Sequence, residues 1–161
     1  FIMAIDTHIK FDGVDGEATH KDHKGEIQLL SWDWGVSNAT NVGAGGGSGK
    51  GKADPGELGF MHTYDKASPI LAKKCAQGAH FKEVILTARK AGEGQKDFLK
   101  VTMKEVYITS VQASASGGGD IGENVRMSYG SIDFSYKAQD DKGGLTGEVK
   151  FGWNVKTTEI T

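Results

Sequence analysis

Cysteine occurs once in this chain, at Cys75, so no internal disulfide can form. The sequence therefore does not read as a small oxidised secreted domain. Proline is almost as scarce, with only Pro55 and Pro69. No apolar run approaches the ~20 residues of a membrane-spanning helix, so no membrane insertion is expected. Neither sign of charge dominates: 19 basic against 21 acidic side chains leave a formal net charge of -2. A nucleic-acid binder would carry a basic excess, and a lipid-surface anchor a polybasic cluster; neither partner is expected. Phe1–Ile5 runs straight into Asp6, with no basic stretch and no apolar run of signal-peptide length. The expectation is a protein made in the cytosol and exported, if at all, without a cleavable signal peptide.

Glycine is what the chain has in excess: 24 of 161 residues, about twice the usual ~7%. Abundant glycine with little proline, beside alternating apolar runs, reads as tight turns and bulges in a β protein. The length suits one domain spanning 1–161 and needs no metal or disulfide to fold.

Period-2 alternation recurs along the chain. Ile5, Thr7, Ile9 and Phe11 share one face of a first strand, with Asp6, His8, Lys10 and Asp12 on the other. Residues 17–25 read as a polar surface loop. Residues 26–38 read as one strand with Leu30, Trp32, Trp34 and Val36 on the apolar face and Ser31, Asp33, Gly35 and Ser37 opposite. Ile27 and Leu29 break that parity, which predicts a bulge or face switch at Leu29-Leu30. Residues 40–56 hold seven glycines and no periodicity; a loop of that length in a compact domain is functional or disordered. Glu57–Tyr64 is a short strand. The one helix starts near Ser68-Pro69, capped by Ser68 or one turn earlier by Asp65, and ends at Gly78. Strands return from residue 80, over 98–111, through 125–136 and over 149–155. A parity change between Met103 and Val106 predicts a second bulge. Seven or eight strands with one helix indicate a mainly β fold, a sandwich or small barrel.

Tests for chemistry are negative. The glycine loop fails the phosphate-loop pattern, because Ala44 stands at its first glycine and Gly51 follows Lys50; it also fails GxGxxG at Ser48. His20-Lys21-Asp22-His23 could offer metal ligands, but no cysteine cluster or HExxH supports it, and a solvated loop is the favoured reading. Cys75 and His80 lack a third group, and no GxSxG occurs. No catalytic constellation, metal or cofactor is expected, and the chain does not read as an enzyme. The three tryptophans, Trp32, Trp34 and Trp153, sit at apolar parity and read as core.

Several segments carry a resemblance in order: LLSWDWGVSNA (29–39) before a glycine loop, Tyr64-Asp65-Lys66-Ala67-Ser68-Pro69 into a helix with Cys75-Ala76, TARKAGEGQKDFLKVTMKEVYITSV (87–111), ENVRMSYGSIDFSYK (123–137) and Phe151-Gly152-Trp153. From Met3 onward the chain resembles the Hcp family of bacterial type VI secretion. The resemblance implies a two-sheet β-barrel with one flanking helix, similar to phage tail-tube proteins. It implies a homohexameric ring, stacked into the inner tube of a contractile machine. A sheath would surround the tube, a spike would sit at its tip, and small effectors would be carried or chaperoned in the lumen before secretion. Lys50-Gly51-Lys52-Ala53-Asp54-Pro55 departs from the family pattern in the loop.

Two candidate sites follow. With Trp32 and Trp34 inward, Ser31 and Asp33 turn to the face best suited to a lumen, where they would contact an effector. The loop residues Val42, Gly43, Gly45, Gly46, Gly47, Ser48, Gly49 and Lys50 are candidates for contacts between subunits or rings. The rival readings are a monomeric β-barrel that binds a small ligand through its tryptophans, and a hydrolase with an unrecognised site.

Overall fold

The computed structural model describes residues 4–39, 53–92 and 94–161. Eleven strands and one helix follow in chain order: β1 (Ile5–Phe11), β2 (Ile27–Gln28), β3 (Ser31–Asp33), β4 (Val36–Asn38), β5 (Ala53–Pro55), β6 (Leu58–Thr63), α1 (Ser68–Gln77), β7 (His80–Lys90), β8 (Asp97–Ser114), β9 (Gly122–Gln139), β10 (Leu145–Asn154) and β11 (Glu159–Ile160). All pairing is antiparallel, and the main sheet runs β11-β10-β9-β8-β7-β1-β2, with β6 on β9 and β3 on β6. A separate two-stranded ribbon pairs β4 with β5.

The two 18-residue strands β8 and β9 give the sheet its shape. Met103 pairs with Ile132 and Val106 with Tyr129, and all four are buried. Strict alternation would put Met103 and Val106 on opposite faces. Both strands therefore turn over at the same level, where Glu105 adopts φ 53° beside Gly130. The register is the same on either side, so this is a paired kink and not an inserted residue. The parity change read from the sequence at 103–106 has this cause. Beyond the kink the outer edge of β9 changes partner: Ser131 onward pairs with β10, whereas Gly122–Met127 pairs with β6. The extra residue that shifts register lies further on, between Ile108 and Ser110.

The expected single strand over 26–38 is three short ones. Leu29 N–H donates to Thr7 O at 2.9 Å on β1, and Leu30 N–H donates to Met61 O at 2.8 Å on β6. The chain thus leaves one neighbour for another at the predicted face switch. Leu30 and Val36, expected on the apolar face, are exposed, while Trp32 and Trp34 are half-buried against the core and Trp153 is buried. The sheets are not closed into a barrel: the ladder breaks where β2 gives way to β3.

The core fills the space the bent sheet encloses, with Ile9, Leu58, Val84, Met103, Met127 and Ile132 fully buried. Helix α1 packs Leu71 into it. Both capping expectations meet in one reciprocal motif: Asp65 Oδ1 accepts from Ala67 N–H at 2.9 Å, and Ser68 Oγ accepts from Asp65 N–H at 3.1 Å. The cap residue itself is Ala67, and Gly78 ends the helix at φ 63°, a left-handed conformation that glycine adopts without steric cost.

Candidate functional site

Ser31 and Asp33 occupy the exposed face of β3, with Trp32 between them on the core side. The pairings extend that face across three more strands. Ser31 stands beside Met61, Asn124 and Gln112; Asp33 stands beside Gly59, Arg126 and Ser110. Together they line a shallow groove of about 250 Å³. Its surface carries small hydroxyl and amide groups and the exposed Met61 side chain around one cluster of charge.

The cluster is built on Arg126. Its Nη1 and Nη2 donate to Asp33 Oδ1 and Oδ2 at 3.3 and 3.2 Å, and its Nε lies 3.5 Å from Glu57 Oε2. Glu57 Oε2 also accepts from Thr109 Oγ1 at 3.0 Å. The hydrogen bonds it donates to Asp33 raise the guanidinium above its already high pKa. A planar fork facing a carboxylate is the geometry arginine supplies and lysine does not. Asp33 and Arg126 lie on strands separated by β6, and the pair reaches across it at Gly59. A Cβ at Gly59 would collide with the Arg126 guanidinium and come within 2.8 Å of Asp33 Oδ1. The exposed pair adds little stability by itself, but it fixes both side chains over the groove floor.

The alternation of 31–34 correctly separated Ser31 and Asp33 from Trp32. The sequence reading did not bring Arg126, Glu57 and Gly59 to the same place, because their meeting depends on β3, β6 and β9 being neighbours. Arg126 had a signal in its polar parity within 125–136; Gly59 had none. Val42, Gly43, Gly45, Gly46, Gly47, Ser48, Gly49 and Lys50 lie outside the described residues. The strands flanking them, β4 and β5, are held at their base. Trp34 Nε1 donates to Tyr129 Oη at 2.7 Å, and Tyr129 Oη donates to Gly56 O at 2.6 Å. Burial pushes the Tyr129 phenol pKa up, which keeps this donor protonated.

The other sequence candidates have structural roles. Among the described residues, no group of three or more His, Cys, Asp or Glu side chains could hold a metal ion. His23 is not in a solvated loop: it is 5% exposed and bonded on both ring nitrogens. Cys75 lies half-buried on α1 against the core, and His80 is exposed with its ring 5.5 Å from Tyr107.

Comparison with known proteins gives one answer. A sequence model described as "Type VI secretion system effector, Hcp" matches residues 8–136. Protein hcp1 of Pseudomonas aeruginosa is 40% identical over 157 residues, covering 96% of this chain and 97% of that one. A solved structure described as a type six secretion system protein superposes with TM-score 0.92 at 31% identity, covering 98% of this chain and all of the other. Hcp1 from Salmonella typhimurium does so with TM-score 0.81 at 34% identity, covering 99% of this chain and 100% of its own.

Proposed function

This chain belongs to the Hcp family of type VI secretion proteins and is a subunit of the secretion tube; from that premise we propose that six copies close into a ring, that rings stack within a sheath below a spike, and that the groove of Ser31, Asp33 and Arg126 faces the lumen and contacts effectors. A strand with one apolar face and one face of small polar groups suits a wall packed on one side and wet on the other. The observation that carries the lumen reading is that the groove's charges are paired with one another. Asp33 and Glu57 both pair with Arg126, which leaves one uncompensated negative charge, and the other lining groups are hydroxyls and amides beside the apolar side chains of Phe60, Met61 and Val125. Such a surface offers hydrogen bonds to many polypeptides and little net charge to select among them, which suits a carrier. The single domain over 1–161, made in the cytosol, belongs to the same reading; no helix among the described residues is long and apolar enough to cross a membrane.

Asp33→Arg tests this. It sets two guanidinium groups side by side in the groove. The ring, followed by mass photometry, is expected to persist, while co-expressed effector is recovered at a several-fold lower level. Unchanged effector recovery overturns the lumen assignment, and a wild-type protein that is monomeric at micromolar concentration overturns the ring.

A further inference from the structure

The structure holds a second polar assembly, on strands β1 and β7, away from the groove on β3, β6 and β9. The loop 17–26 lies over β1 and β7 and buries groups that alternation would leave in water. His8 on β1 is 2% exposed and Arg89 on β7 is 6% exposed. The His8 ring stacks on His23 at 4.7 Å between centroids, with 8° between planes, and lies 5.7 Å from His20. His23 uses both nitrogens: Nδ1 meets Glu26 Oε2 at 2.8 Å and Nε2 meets Asp97 Oδ1 at 3.0 Å. A neutral imidazole donates from one nitrogen only, and here both His23 nitrogens face carboxylate oxygens. Arg89 joins the same carboxylate through Nε at 2.7 Å and reaches Asp22 on the loop at 2.8 Å.

His8 stands apart from this network. Its Nδ1 is buried without a hydrogen-bond partner. The groups facing it are His20 and His23 from the loop, Arg89 from β7 and Asp6 from its own strand. Three of those four carry or can take positive charge, and only Asp6 opposes them. A proton on His8 would place a cation flat against His23 and near Arg89, in a site with no acceptor ready for it. The loop therefore closes over His8 only in its neutral form.

We propose that His8 is a proton-sensitive latch, and that acidification releases the 17–26 loop from β1 and β7 by protonating this one side chain. Burial, followed by the repulsion of His23 and His20, lowers the His8 pKa to about 4 from an ordinary 6.5. The sign follows by linkage. The open loop takes up the proton more readily than the closed one, so closure is at full strength above pH 6.5 and weakens as pH falls toward 4. Opening also loosens a second contact, because Glu17 Oε2 accepts from Lys66 N–H at 2.8 Å ahead of the helix.

The test is hydrogen exchange by mass spectrometry on the assembled protein at pH 7.5, 6 and 5, with rates corrected for intrinsic exchange. The loop amides of Gly16, Ala18 and Gly25 are bonded to loop carbonyls and report closure. Their protection is expected to fall about thirtyfold from pH 7.5 to 5, relative to β8 amides. His8→Phe keeps a stacked ring that takes no proton, and there the fall should vanish. An identical pH response in wild type and variant overturns the proposal. Histidine ring titration by NMR on the wild-type protein gives the second reading: a His8 midpoint below pH 5 supports the latch, and one near 6.5 overturns it.

Discussion

At position 59 a single methyl group decides whether two strands can exchange an ion pair over a third. Gly59→Ala puts a Cβ where the Arg126 fork passes on its way to Asp33. Overpacking of this kind costs about 1–3 kcal/mol, and urea denaturation should show that loss. In an Arg126→Ala background the main obstacle is absent, so the same change should cost less than about 1 kcal/mol. Equal costs in both backgrounds would show that the glycine serves the backbone and not the pair. Trp32 was read as a core aromatic; being half-buried, its truncation falls below the ~3–5 kcal/mol expected of a fully enclosed ring.

Pairs of elements are pinned by polar contacts as well as by ladders. His62 on β6 and Glu123 on β9 are 0% and 1% exposed and meet at 2.7 Å between Nε2 and Oε1. Asp65, which caps the helix approach, lies 3.9 Å from the other ring nitrogen. Removing one member of a buried hydrogen-bonded pair leaves the other unsatisfied, at about 1–3 kcal/mol. Glu123→Ala should therefore lower stability by that amount in chemical denaturation. His62→Leu combined with Glu123→Leu should cost far less; if the double variant is as damaged as the single one, packing and not charge holds this junction. The helix and the longer strands were legible because alternation, Pro69 and Gly78 are local signals. The division of 26–38 was only half legible: parity located the break at Leu29-Leu30, but the exchange of β1 for β6 depends on the whole sheet. The expected surface loop over 17–25 instead packs on the sheet, for the same reason. Nothing within a run of polar residues says that a polar sheet face will come to meet it.

Across the whole molecule, most of the fold was legible, since seven of the eight expected segments are strands or the helix where the sequence placed them, 26–38 being the exception. The closed barrel was not, because closure needs an unbroken ladder and the ladder breaks where β2 gives way to β3. For the loop over 40–56 we propose contact with a neighbouring subunit or ring. Its flanking ribbon is anchored through Trp34 and Tyr129, so it leaves the body at a fixed place. Deleting residues 43–51 should leave folding and ring formation intact and abolish stacking into tubes, as seen by electron microscopy. Normal tubes from the deleted protein would reduce the loop to a spacer.

The bent sheet also sets an order of events during synthesis. Strands β7 to β10 form a meander in which each pairs with the next, but β1 must wait for β7 and β6 for β9. His62 and Glu123 are 61 residues apart, and His23 and Asp97 are 74 apart. At ~5–20 residues per second, each early partner waits about 3–15 s on the ribosome. Through that interval the N-terminal third is a string of apolar strands with open edges. The nascent chain is then at its most prone to misassociate, and a chaperone that shields those edges until β9 emerges would raise the yield of folded subunits.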